Sequence, residues 1–152
     1  MSKLCLVIFK CLHEEVELRS KVQEILHTKN FALFDRISYC EPFLSEFFCE
    51  DKIMYSIADN YDYDNCEMLL LPDSCFYNGR SNPVLFQERI RLLQNVLYVI
   101  LEHSETVDVF IGDSGLTFSE FIHYDAKIEN FLPIAETLNT VVPKDIHITI
   151  TL

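Results

Sequence analysis

The sequence predicts an α+β fold, a single domain over residues 1–152 in which a mixed β-sheet carries about three main helices packed largely on one face. Three observations lead there. Segments of period-two apolarity alternate with segments of helical period, in the order β-α-β-(short α)-β-β-α-β-β-α-β. Hydrophobic residues make up 49% of a chain with 3 Gly and 5 Pro, a balance that calls for one packed core and excludes a disordered or low-complexity chain. No repeat, linker or shift of composition divides the 152 residues, a length typical of one domain.

Leu4 to Leu12 is apolar on both alternating faces, with Cys5, Val7, Phe9 and Cys11 on one and Leu4, Leu6, Ile8 and Leu12 on the other. It reads as a strand buried on both sides. From Glu14 to about His27, Leu18, Val22, Ile25 and Leu26 recur at helical spacing among charges, and Asn30 follows as a C-terminal stop. Phe31 to Tyr39 reads as a strand, and Pro42 then opens a short helix with Phe43, Leu44, Phe47 and Phe48 on one face. Ile53, Tyr55 and Ile57 alternate as a further strand, and Glu67 to Leu71 is an apolar run closed by Pro72.

Asn82-Pro83 is an N-cap followed by a first-turn proline, and opens a helix to about His103 with Phe86, Ile90, Leu93, Leu97, Ile100 and Leu101 as its apolar stripe. Val107, Val109 and Ile111 alternate into a strand, and Thr117 to Tyr124 reads as the next. Pro133 places a helix start near Asn130, because a first-turn proline forfeits no hydrogen bond, and the helix runs to about Thr140. The last segment puts Ile146, Ile148, Ile150 and Leu152 on one face and His147, Thr149 and Thr151 on the other, a half-buried strand.

Formal net charge is -12, which repels nucleic acid and anionic membrane surfaces at long range. Neither is an expected partner. No run reaches the roughly 20 apolar residues of a membrane span, and the six-residue run Leu4 to Phe9 is followed by an acidic helix pattern instead of a cleavage site. The six cysteines, Cys5, Cys11, Cys40, Cys49, Cys66 and Cys75, are expected as thiols, since a chain this apolar needs no disulfide staples. The expected setting is the reducing cytoplasm.

Gly112-Asp113-Ser114-Gly115 matches the four letters around the nucleophile of trypsin-like proteases. A nucleophilic serine needs a base, a group orienting that base and oxyanion donors, and nothing else in the chain resembles such an enzyme. Two of the 3 glycines fall here between two strand patterns, so the segment is expected to turn a hairpin. No catalytic residue is assigned.

Asn60, Asp62 and Asp64 have the spacing of a calcium loop at its first, third and fifth positions, but Asn65 and Leu71 stand where its glycine and bidentate glutamate belong. Cys11 and His13 are the closest mixed pair of transition-metal ligands, and His27, His103, His123 and His147 are scattered. With no Cys-x-x-Cys, no His-Glu-x-x-His and no phosphate loop, neither metal nor cofactor is expected. The 24 acids make any glycosidase-like pair of carboxylates uninformative.

What stands out is the distribution of charge. Residues 37–79 hold nine acids against the one base Lys52, and so eight of the twelve net negative charges. Within them Asp59, Tyr61, Asp62, Tyr63, Asp64 and Glu67 combine charge with rigid aromatic contact area, a composition suited to recognising a protein. The function expected is a non-enzymatic acidic interaction protein that binds a basic partner, of the inhibitor, antitoxin or immunity-protein type. The alternatives are a small enzyme or ligand-binding domain with a site assembled from distant residues, and a structural subunit self-associating through Phe43, Phe47 and Phe48.

Overall fold

A computed structural model describes residues 3–29, 31–35, 52–58, 66–72, 83–113, 120–137 and 145–152. Its strands are β1 (Lys3–Phe9), β2 (Ala32–Asp35), β3 (Lys52–Ala58), β4 (Cys66–Pro72), β5 (Val107–Asp113), β6 (Ile122–Lys127) and β7 (Ile146–Thr151). The helices are α1 (Glu15–His27), α2 (Pro83–His103) and α3 (Phe131–Thr137), the last entered through a 3₁₀ turn at Ile128–Asn130. All the strands join one mixed sheet in the order β2-β3-β4-β1-β5-β7-β6, as the α+β expectation requires. β2 runs parallel to β3 and β6 parallel to β7, and every other neighbouring pair is antiparallel.

Register converts the period-two pattern into a core. Cys5 lies between Leu71 and Ile111, Val7 between Leu69 and Val109, and Phe9 between Glu67 and Val107. β7 extends these rows with Ile146, Ile148 and Ile150. Every apolar member of the three rows is at most 5% exposed, and all belong to one cluster with Leu18, Val22 and Leu26 of α1, Ile90, Leu93, Leu97 and Ile100 of α2, and Phe131 and Ala135 of α3. The helices thus cover a single face of the sheet. At about 25 cal/mol per Å² of apolar surface removed from water, each such Leu or Ile stabilises the fold by roughly 1.5–3 kcal/mol.

The two long helices lie antiparallel, since Lys21 of α1 pairs with Glu102 near the end of α2 while Lys29, just past α1, pairs with Glu88 near its start. Arg89 lays its guanidinium 4.2 Å from the centre of the Phe31 ring, closing the same seam. Glu15 and Glu17 in the first turn of α1 and His27 in the last suit the helix dipole. Lys29 holds the Glu88 carboxyl below the ordinary carboxylate range, and the contact, being exposed, is worth little to stability.

Several boundaries differ from the sequence expectation. β1 ends at Phe9, so Cys11 and Leu12 leave the strand and Leu12 is 55% exposed. α1 is capped by Thr28, whose backbone N–H and hydroxyl both donate to the Ile25 carbonyl, while Asn30 lies outside the described residues. The expected short helix from Pro42, the Asn82 cap and the Phe86 side chain also lie outside them.

The turn expected at Gly112 to Gly115 lies partly outside the described residues, but β5 and β6 do not pair as a hairpin: β5 pairs with β1 and β7, and β6, the next described strand, starts at Ile122 and pairs with the other side of β7. Adjacent strand patterns had suggested adjacent strands, but the apolar face of β5 is better satisfied between two strands that share its parity.

The core predicts a sharp contrast. Leu97→Ala, at a side chain 0% exposed, is expected to lower stability by about 2–5 kcal/mol. Val84→Ala, on the same helix but 77% exposed, should stay within about 0.5 kcal/mol, both read from guanidinium unfolding midpoints at unchanged slope.

Candidate functional site

The residues that alternate away from the helices build a second face. There Ile8, Phe110 and Phe121 are buried together, with Leu6, Cys66 and Met68 packed against them. Beside this patch, register assembles a polar cluster from three strands. Phe110 of β5, His147 of β7 and His123 of β6 form one row, and Asp108, Thr149 and Asp125 form the next. Period two forces this arrangement, because the neighbours Val107, Val109, Ile146, Ile148 and Ile150 take the core face.

The His147 ring lies against Phe110, 4.0 Å between centres and 12° from parallel, with His123 on it at 4.6 Å. His147 and Asp108 keep only 16% and 17% of their side-chain surface exposed. Asp108 Oδ1 accepts from His147 Nε2 at 2.7 Å and from the Thr149 hydroxyl at 2.6 Å. Thr149 has then given up its only proton, so at 2.9 Å it accepts from His123 Nε2. Asp125, 3.5 Å from the same His123 nitrogen, is 79% exposed.

All of these protons run toward Asp108. A nucleophilic hydroxyl would instead donate to an imidazole that a carboxylate orients, the reverse of the direction at Thr149. Chemically the cluster satisfies a largely buried carboxylate and cross-links β5, β7 and β6.

A second set of polar contacts gathers where β1 ends. Glu67 Oε2 accepts the Cys11 backbone N–H at 3.0 Å, and the Leu12 N–H donates to the carbonyl of His103, the last residue of α2. His103, 3% exposed, donates in turn from Nδ1 to the His13 carbonyl at 3.2 Å, which also accepts from the Cys11 thiol. Burial pushes the Cys11 thiol up from its ordinary range, and the Glu67 and Glu15 carboxylates add to the shift.

Of the six residues expected to bind a partner, Asp59, Tyr61, Asp62, Tyr63 and Asp64 lie outside the described residues. Glu67 is half-buried on β4, with one carboxylate oxygen committed to Cys11. Ser114, Cys40, Cys49, Cys75 and the Phe43, Phe47 and Phe48 set are also outside. Leu71, at the twelfth position of the calcium-loop spacing, points into the core at 5% exposure.

Sequence reasoning missed Asp108, His123, His147 and Thr149. One signal was present: Asp108 is a charge inside the alternating run of β5, in phase with His147 and Thr149 on the polar side of β7. Comparison with protein families, with curated proteins and with solved structures returns no match to this chain.

Two outcomes follow from these contacts. Asp108→Ala strands two donors and is expected to lower stability by about 1–3 kcal/mol. Thr149→Val keeps the His147 bond and should lose less, both measured by chemical denaturation. For Cys11 the raised value favours the neutral thiol in the folded state, so its contribution holds below the thiol's ordinary pKa and fades as pH rises through the folded value. Iodoacetamide labelling mapped by peptide mass should therefore reach Cys11 only at higher pH than an unfolded thiol.

Proposed function

We propose that this chain is a non-enzymatic acidic interaction domain that binds a basic protein partner in the cytoplasm, of the physical type of an inhibitor, antitoxin or immunity protein. Its docking region would run from Glu41 to Asp73, with Asp59, Tyr61, Asp62, Tyr63, Asp64 and Glu67 at its centre. The observation carrying this reading is where the positive charge goes. In the helical layer Lys21 is shared between Glu17 and Glu102, Lys29 pairs with Glu88, and Arg89 lies over Phe31. Residues 37–79, with nine acids and one base, have no comparable supply within their own stretch. Clustered like charges repel, and a cationic partner relieves that repulsion.

The anchoring of the segment adds support. Ala58 and Cys66 are register partners on β3 and β4, so both ends of residues 59–65 are fixed side by side on paired strands. Membrane association is not part of the reading, and no described helix is long and apolar enough to cross a bilayer. No nucleic-acid partner is proposed, on the ground of net charge.

The test is capture of partners from native lysate at low and high salt, with wild type beside a variant carrying Asp59→Asn, Asp62→Asn and Asp64→Asn. A basic protein retained by wild type, released by salt and lost from the variant is the expected outcome, with association slowed about tenfold or more once the partner is purified. Tyr61→Ala and Tyr63→Ala should instead shorten the dwell time. A partner that binds wild type and the triple variant alike at every salt concentration overturns the assignment.

A further inference from the structure

The end of β1 brings together three side chains from two distant parts of the chain. His13 and Glu14 precede α1, and His103 closes α2. One ring nitrogen from each histidine and a carboxylate oxygen of Glu14 all lie within 4.8 Å of one another. His13 Nδ1 is 3.8 Å from Glu14 Oε2, and the two imidazoles are 5.2 Å apart between centres. We propose that His13, Glu14 and His103 hold a divalent transition-metal ion, zinc being the metal the donor set fits.

The strongest support is His103. Its ring is 3% exposed, and donation from Nδ1 to the His13 carbonyl fixes the tautomer, leaving Nε2 as the nitrogen with the lone pair. That Nε2 is buried and has no hydrogen-bond partner among the described residues. Native structures seldom leave a buried acceptor in this condition, and a cation is a partner for it. A histidine whose other nitrogen donates to a backbone carbonyl is also the usual arrangement of a metal ligand, because that bond sets both tautomer and ring orientation.

Glu14 supplies a second indication. It adopts φ 55° and ψ 47°, the left-handed region, and among the described residues no other non-glycine has positive φ. Its side chain makes no capping hydrogen bond to α1, the usual return for a residue at that position. Instead one of its carboxylate oxygens lies 3.8 Å from His13 Nδ1.

Two nitrogens and one oxygen suit zinc and its first-row neighbours, whereas calcium and magnesium take oxygen ligands. A tetrahedral zinc ion with bonds of about 2.0–2.1 Å sets its ligands about 3.4 Å apart, so closure from the observed spacing needs shifts of about 1 Å. The outer ligands have room for that, His13 being 57% and Glu14 61% exposed. Three protein ligands leave a fourth position for water or a donor from outside.

Metal-free full-length protein titrated calorimetrically with zinc chloride tests the site. The expected result is saturable binding of one ion per chain, weakened at least about tenfold by His13→Ala and by Glu14→Gln, both exposed positions, and unchanged by His27→Ala at the far end of α1. The buried His103 is read without substitution: in nitrogen-15 spectra, zinc should shift its Nε2 while Nδ1 stays protonated. No saturable zinc binding, wild-type affinity in either variant, or an unmoved His103 signal each overturns the proposal. None of these outcomes touches the interaction reading, which concerns other residues.

Discussion

The structure depends on parity across β1. This strand sits in the middle of the sheet and is antiparallel to both neighbours, so the alternation of its side chains dictates which residues of β4 and β5 can share the helix face. Cys5, Val7 and Phe9 set three rows, β5 copies them with Ile111, Val109 and Val107, and β7 copies them again with Ile146, Ile148 and Ile150. A slip of one residue anywhere in this series would turn an entire strand over, exchanging isoleucines for His147 and Thr149 under α2. Burial of those rows by α1, α2 and α3 therefore fixes register as well as supplying stability.

The polar cluster is a consequence of the same parity. Once Val107, Val109 and the isoleucines of β7 are committed to the core, Asp108, His147 and Thr149 must meet on the opposite face, in adjacent rows. A carboxylate with 17% of its surface exposed is costly unless donors reach it, and β7 provides two, from His147 and Thr149. His123 arrives from the parallel edge strand and completes the chain of donors. This economy explains why the most conspicuous histidine cluster on the sheet is a poor match to a catalytic one: its hydrogens are already committed to holding strands together.

Much of this fold was legible in the sequence, for reasons that differ by element. α2 and β7 are long and strongly periodic, and their faces follow from residues such as Leu93, Leu97, Ile148 and Ile150 alone. β1 was legible as a doubly buried strand because both faces are apolar, though its end was placed too late: Cys11 and Leu12 continue the apolar pattern while their backbone N–H groups turn to Glu67 and His103. Pairing was less legible. β5 and β6 are consecutive among the described strands yet separated by β7, which follows both in sequence, so local pattern carries no trace of the insertion. Sites suffered most, since His13 and His103 are separated by the whole of α1, three described strands and α2 and only tertiary packing brings them together.

Backbone satisfaction explains why chemistry collects where β1 finishes. A chain leaving a central strand loses its ladder partners, and a helix ending nearby leaves carbonyls unbonded. Here each deficit offsets another: the His103 carbonyl takes the Leu12 N–H, the Ser104 hydroxyl returns to the Ile100 carbonyl, and Glu67 takes the Cys11 N–H. The turn from β1 into α1 is thereby held by contacts to α2 and β4 without glycine or proline. Phe9, Glu67 and Ile57 lie in one row, which sets this turn one row from Ala58 and Cys66, where residues 59–65 leave and rejoin the sheet. On the proposed reading, an acidic connection whose two ends are fixed on paired strands would lose less freedom on binding a cationic partner than one rooted in slack chain.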